Sequence, residues 1–400
     1  MKKLISLAFH RRGLMIVVFC FVAAIGYYSW KQLAIDAYPD IADVTVQVIT
    51  QVPGLAAEEI EQQITIPIER ALNGLPGTTV MRSRSSFGIS TIILVFQDGV
   101  DDYWARQRVQ ERLTDVELPY SATPSLNPLT SPIGEIYRYV LESKNHDLRE
   151  LTDINKWVVI PRLKQVIGVA DVSNFGGITT QYQIEIDPHK MEQYDITLSD
   201  IKDKIEKNNV NAGGSILQQG DLSYVIRGIG LVKNLDDIGK IVISSKDGVP
   251  IYINDIGTLK YGNLERKGVL GFSSDSTNLS DGVEGSVQML RFQNPSKVLD
   301  GIHQSVEELN HGGLPKGVSI HPFVDRTNLV NTTLHTVSHT LLEGMILVLL
   351  VLFIFLGNWR GAAVVALTIP LSLLIAFILM HLTGIPANLL SLGAIDFGIL

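Results

Sequence analysis

The chain alternates between two textures. Gly13–Trp30 carries no charged side chain, and its length lies at the short end of what spans a hydrocarbon core. Lys2, Lys3, Arg11 and Arg12 precede it, and Tyr27, Tyr28 and Trp30 close it as an interfacial aromatic belt. No small-residue cleavage site follows. The run therefore reads as a retained transmembrane helix over 13–30, with 1–12 in the cytoplasm. Three more apolar runs close the chain, at 338–356, 361–381 and 387–400. They predict a second and a third spanning helix and the start of a fourth. Arg360 lies in the tight loop between the second and third, which the positive-inside rule puts on the cytoplasmic side. The segment between the first two spans, and the loop 381–387, then lie outside.

From Lys31 to about Val337 the pattern is that of a water-soluble α+β body. TVQVITQV (45–52) alternates with period two and predicts a strand. AAEEIEQQITIPIERAL (56–72) predicts a helix kinked or broken at Pro67. Asn73-Gly74 and Pro76-Gly77 mark a turn. Strands are expected at 79–85 and 91–96 around Gly88. An amphipathic helix over 100–116 follows, with Tyr103, Trp104, Val109 and Leu113 as its apolar contacts. This order is most of a split βαβ, ferredoxin-like unit. After a Pro/Ser/Thr-rich connector (119–132) the pattern restarts. It gives a strand at 136–142, a helix over 146–166 bent at Pro161, and strands at 170–174 and 182–187. Texture changes over roughly 188–270, where short strands and Gly/Asn-rich turns prevail. A strand at 285–292, a helix over 296–310 and a strand at 318–323 complete the second set. The expected architecture is two ferredoxin-like subdomains, the second interrupted by a mixed insert.

Composition agrees with that mixture. The chain is 46% hydrophobic and 18% charged, too apolar for an ordinary soluble protein and too charged for one wholly in the bilayer. Its single cysteine, Cys20, excludes an internal disulfide framework and a Cys-based zinc site. Taking the five terminal and loop cations and the acids Glu343 and Asp396 out of the net charge of −8 leaves −11 for the extramembrane stretch. Such a surface disfavours nucleic acid and attracts cations weakly, although solubility alone explains most of it.

No nucleotide loop, nucleophile elbow, HExxH or EF-hand pattern is present. The chemistry is expected in the membrane instead. Asp396 lies in the apolar run LTGIPANLLSLGAIDFGIL (382–400), about 12 Å along a helix from Asn388. That is near the middle of a core about 30 Å thick. A carboxylate there costs roughly 2.5–3.5 kcal/mol on insertion scales and usually faces an ion or proton pathway. Without a nucleotide site, coupling to an ion gradient, protons first, is expected. The chain stops inside this run and reads as an N-terminal fragment. His335, His339 and Glu343 recur every four residues at the outer mouth of the second span. Imidazole and carboxylate at that spacing could ligate a divalent metal such as zinc, or simply crowd a helix entering the membrane. His303, His311 and His321 read as surface or loop residues, Met81, Met191 and Met289 as core filler, and Asp40, Asp43 and Asp187 as solvated or turn acids.

Five stretches carry a resemblance: AIDAYPDIADVTVQV (34–48), PGLAAEEIEQQITIPIERALNGLPG (53–77), FVDRTNLV (323–330), LLEGMILVLLVLFIFLGNWRGA (341–362) and IPANLLSLGAIDFG (385–398). Together they resemble the resistance–nodulation–division (RND) transporters, in particular the heavy-metal-efflux branch of the CzcA/CusA type. The resemblance implies two periplasmic porter subdomains, 37–133 and 134–180 plus 275–330, with a docking subdomain 181–274 inserted. It implies a homotrimer, multi-pass in the inner membrane of a Gram-negative bacterium. Such a pump engages a periplasmic adaptor and an outer-membrane channel, exchanges protons for substrate, and needs no cofactor and no enzymatic chemistry. Branch members for divalent cations (zinc, cobalt, cadmium, nickel) carry Asp-Phe-Gly where this chain has Asp396-Phe397-Gly398. Those for copper(I) and silver(I) carry small apolar residues there, and a methionine where this chain has Leu390. Soft Cu(I) wants thioether ligands, so both features point to divalent ions. The resemblance makes Asp396 one candidate of the proton relay and puts most substrate ligands beyond Leu400. The alternatives are an RND pump for copper(I), silver(I) or organic compounds, and a membrane-anchored periplasmic sensor or protein-export accessory.

Overall fold

A computed structural model describes residues 12–33, 35–36, 42–246, 248–266, 268–274, 278–356, 359–383 and 387–388. Helix α1 (Arg12–Gln32) contains the first apolar run. Strand β1 (Ile35–Asp36) follows it. Strand β2 (Thr45–Gln51) buries Val46, Val48 and Thr50, one residue in two, as its alternation requires. Helix α2 runs over 57–72 without a break. Its turn Glu61–Thr65 widens to a π-helix immediately before Pro67. Proline has no N–H to donate and its ring crowds the carbonyl four residues back, so a widened turn lets the helix pass where a kink was expected. Strands β3 (Thr78–Ser86) and β4 (Ile89–Phe96) meet at Gly88, whose φ of +72° glycine adopts freely.

Helix α3 (Asp102–Thr114) buries Asp102, Ala105, Val109 and Leu113. The expected contacts Tyr103 and Trp104 are a correction: they are 64% and 38% exposed. The buried stripe repeats at three and four residues from Asp102, and that period leaves positions 103 and 104 off the stripe. Strand β5 (Ser125–Leu126) completes an antiparallel sheet in the order β3-β4-β2-β5. Ile60, Ile64, Ile68 and Leu72 of α2 and Ala105, Val109 and Leu113 of α3 form one core with Val46, Val48, Ile92, Leu94 and Phe96. Each such aliphatic side chain contributes about 1.5–3 kcal/mol on burial.

The second sheet repeats the plan. Strand β6 (Thr130–Ser143) leads to helix α4 (148–163), which again carries a π turn, Asn155–Val159, just before its proline, Pro161. Strand β7 is Val169–Gly176. The chain then enters a second unit, formed by Asp147–Asp153 and Gly176–Gly282. There β8 (Thr180–Ile186) is followed by helix α5 (Leu198–Asn208), which starts on a capping box between Thr197 and Asp200. Next come β9 (Ile216–Gln219), β10 (Leu222–Val225), β11 (Val242–Lys246), β12 (Val249–Tyr252), β13 (Gly257–Asn263) and β14 (Leu270–Ser273). β13 pairs with β8, and β9 with β10. Eight isoleucines form its core: Ile196, Ile201, Ile238, Ile241, Ile243, Ile251, Ile253 and Ile256.

The chain returns through β15 (Asn278–Leu290), helix α6 (Pro295–Glu308) and β16 (Val318–Asp325). Within the first unit β7, β15, β6 and β16 lie side by side in that order. Numbered along the chain, both sheets thus run second, third, first, fourth strand. Helices α7 (Thr327–Leu356) and α8 (Trp359–Thr383) follow, and Pro370 is accommodated inside α8. β17 (Ala387–Asn388) lies where the fourth span was expected to begin, and it pairs in parallel with β1. α1 packs on α8: Trp30 and Phe377 stack at 6.4 Å, and a Cβ at Gly26 would strike Leu374. Among the described residues, the α1 segment Gly13–Gln32 is the one helix long and apolar enough to cross a membrane.

One ion pair ties α3 to the end of β15. Arg291 Nη1 lies 3.2 Å from Asp102 Oδ1, with side chains 9% and 7% exposed, and Nη2 donates to the Ala42 carbonyl. Removing one partner of a buried pair strands the other charge. Arg291→Met is expected to destabilise the protein by about 3–5 kcal/mol, read as a lowered denaturation midpoint. Arg291→Met with Asp102→Leu should recover most of that loss.

Candidate functional site

Three groups of side chains in the first unit carry chemistry. The first is an acid-rich network on the second sheet. Arg138 of β6 stands opposite Ser286 of β15. Its Nε and Nη2 each reach Glu284 Oε1 at 2.5 Å, and its Nε lies 3.5 Å from Glu135 Oε1. The guanidinium also lies 5.1 Å from the centre of the Phe323 ring. The Ser286 hydroxyl donates to Glu135 Oε2 at 2.8 Å. Glu284 is 1% exposed, and its Oε2 has no hydrogen-bond partner. Two carboxylates thus share one guanidinium: Glu284 is buried, while Glu135 and Arg138 stay partly exposed. Behind it, the Tyr139 hydroxyl donates to Asn155 at 2.8 Å, and Asn155 donates to Asn174 at 2.6 Å. Burial pushes the phenols of Tyr137 and Tyr139 above their ordinary value, so both stay neutral.

The second group sits where β16 becomes α7. Asp325 Oδ1 accepts the Thr327 amide at 2.8 Å, satisfying a first-turn donor of the helix. Its Oδ2 lies 2.7 Å from His303 Nε2 on α6. The His303 ring meets the Tyr137 ring edge-on at 5.8 Å. Burial raises the Asp325 carboxyl, but Thr327 and His303 together hold it below its ordinary value. The neighbouring Arg326 donates to the Ile133 carbonyl at 2.7 Å.

The third group is the predicted histidine face of α7. His335 and His339 stack at 6.0 Å, and His339 Nδ1 lies 3.4 Å from Glu343 Oε1, both side chains well exposed. Helical spacing does bring these three into line. Among the described residues, however, no group of three or more His, Cys, Asp or Glu side chains is arranged to hold a metal ion. Asp396, the predicted relay acid, lies outside the described residues. His321, read as a surface or loop residue, pairs with Glu142 at 3.2 Å, and Asp187 caps a helix. Met81 and Met191 pack against cores and Met289 is buried, as core filler should. Sequence reasoning missed Arg138, Glu284 and the His303–Asp325 contact. The available signal was an acid, Glu284, within the run Val283–Val287, whose other residues are apolar or small.

The model of the AcrB/AcrD/AcrF family matches residues 4–400. The chain belongs to this family. Its AcrB/AcrD/AcrF fold is also that of a crystal structure of a heavy metal efflux pump, which is 58% identical, with a TM-score of 0.90 over 99% of this chain and 39% of that one. Protein HelA of Legionella pneumophila is 37% identical over 409 residues. The cobalt-zinc-cadmium resistance protein CzcA of Cupriavidus metallidurans is 38% identical over 413 residues. Each of these two alignments covers 100% of this chain and 38% of the relative. The cation efflux system protein CusA of Escherichia coli K12 is 35% identical over 394 residues, 97% of this chain and 37% of that protein. The chain thus spans under two-fifths of the length of these AcrB/AcrD/AcrF relatives. The heavy-metal RND resemblance read from the five stretches agrees with all of them.

A carboxyl held below its ordinary value contributes stability that is complete above that value and fades as pH falls through the depressed one. Asp325 should therefore support the start of α7 at neutral pH and release it below the ordinary carboxylate range. The melting temperature should fall on acidification, and Asp325→Asn should show a smaller fall, because asparagine keeps the cap without the charge.

Proposed function

We propose that this chain is the first part of the inner-membrane subunit of a proton-driven tripartite pump that exports divalent heavy-metal cations. The observation that carries the reading is the 58% identity, over 99% of the chain, to a heavy metal efflux pump. The choice of divalent over copper(I) rests on Asp396-Phe397-Gly398 and on Leu390 in place of a methionine. Asp396 is the candidate relay acid, and His335, His339 and Glu343 are candidate cation contacts at the outer mouth of α7. The metal is cargo, and no resident cofactor is needed.

In this reading 37–133 and 134–180 with 275–330 are two ferredoxin-like porter subdomains, and 181–274 is a docking insert. The shared strand order of the two sheets supports the first part. The separate core of eight isoleucines supports the second. The spans are 13–30, 338–356, 361–381 and the start of a fourth at 387–400, with the large domain in the periplasm. Assembly as a homotrimer, with a periplasmic adaptor and an outer-membrane channel, belongs to the same reading. The β9–β10 ribbon supports self-association: every residue of both strands is exposed, including Leu217, Leu222, Tyr224 and Val225. An isolated two-stranded ribbon is marginal in water without a partner surface.

Two measurements test this. In everted vesicles carrying the complete pump, an imposed pH gradient should drive zinc or cobalt uptake, and Asp396→Asn should abolish it without altering assembly. Uptake of copper(I) alone would overturn the divalent assignment, and movement of no metal at all would overturn the pump reading. Val225→Asp should shift the detergent-solubilised pump from trimer towards monomer, read by light scattering, while leaving the monomer's melting temperature unchanged.

A further inference from the structure

Helix α6 is joined to α1 and α7 by side chains at its start and its middle. At its start Asn294 Nδ2 donates to the Leu33 carbonyl at 3.4 Å, and Lys297 Nζ donates to Gln32 at 2.9 Å, both at the outer end of α1. Two turns further on, His303 meets Asp325, whose other oxygen caps α7. A single carboxylate therefore has one oxygen on α6 and the other on the first amide of α7. The imidazole is 38% exposed, so it exchanges protons with solvent, while Asp325 is 24% exposed.

The surroundings limit what else could set its charge. The titratable and charged groups on the segments packed against α6 are Tyr137, Tyr139, Arg138, Glu135 and Glu142 on β6, Asp325 and His321 on β16, Arg162 on the last turn of α4 (160–163), His311 in the turn 309–313 that continues α6, and Asp36 on β1. His335, His339 and Glu343 lie further along α7. On α6 itself Asp300 and Glu307 lie one turn either side of His303. Of these, Asp325 and Tyr137 touch the imidazole. Burial keeps Tyr137 neutral, Arg138 is engaged with Glu284, and Arg162 with Glu308. The one charge that contacts the ring is therefore the Asp325 carboxylate.

We propose that His303 is a positioning residue whose protonation, from the side of the membrane that bears the soluble body, tightens the hold of α6 on the first turn of α7. Neutral imidazole donates a hydrogen bond to the Asp325 carboxylate, and protonation sets a full positive charge against it, turning the same contact into a hydrogen-bonded ion pair. Histidine changes charge between pH 5 and 8 more readily than other side chains. The proposal rests on the proton-driven reading above for its use in transport, but the latch itself does not.

The test separates the two. Spin labels placed at Glu307 on α6 and Thr332 on α7 of the complete, otherwise cysteine-free protein would report their separation by pulsed EPR between pH 8 and pH 5. The distance distribution should narrow on acidification. His303→Gln, which keeps a neutral donor, should give the broad distribution at every pH, and Asp325→Asn should do the same with the cap retained. An unchanged distribution in the unsubstituted pair, or one that still narrows in both variants, overturns the proposal whether or not any metal is transported. In the vesicle assay His303→Gln should keep the uptake rate found at pH 8 and lose its rise towards pH 5. A wild-type pH profile in that variant overturns the role in transport.

Discussion

The arrangement of the first unit depends on the buried contact between Asp102 and Arg291. It bridges two sheet modules that are otherwise joined in sequence by the short stretch 127–129 between β5 and β6. Two charges withdrawn from water gain little net energy over an apolar pair. Their value lies in geometry: the guanidinium must satisfy Asp102 and the Ala42 carbonyl together, and few orientations of one module on the other do so. The strand that delivers Arg291 also delivers Glu284 and Ser286, and its connection into α6 delivers Asn294 and His303. An error at Arg291 would therefore move Glu284, Ser286, Asn294 and His303 together.

Much of this fold was legible because it is local. The alternation of TVQVITQV gave β2, and the run AAEEIEQQITIPIERAL gave α2. The restart of the pattern after 132 gave the second module. What escaped was register and relief. Tyr103 and Trp104 are large and apolar, so they drew attention, yet Asp102 starts the buried stripe because Arg291, far away in sequence, neutralises it. Pro67 and Pro161 read as kinks, but each is preceded by a π turn that absorbs the missing donor. That the same device occurs once in each module is further internal evidence that they repeat one plan.

The candidate site was less legible. Periodicity identified His335, His339 and Glu343, because four-residue spacing is a local property of a helix. Neither Arg138 with Glu284 nor His303 with Asp325 has such a signature. The first pair is separated by the whole inserted unit. The second is made by a crossover that folds α6 back over β6 so that its histidine meets the end of β16. Polar groups paired across a sheet look in sequence like misplaced surface residues.

The two-residue pairing of Ile35–Asp36 with Ala387–Asn388 has a mechanical meaning. Parallel strands need a crossover, and here the crossover runs through both sheets, the inserted unit, α7 and α8. The chain is thus cinched into a noose, with its knot beside the stacked Trp30 and Phe377. A displacement inside the noose cannot dissipate as slack between α1 and α8, because sliding one past the other would break backbone bonds at the knot. Movement of the chain between β1 and α7 would pull on α1 and α8 as a drawstring does.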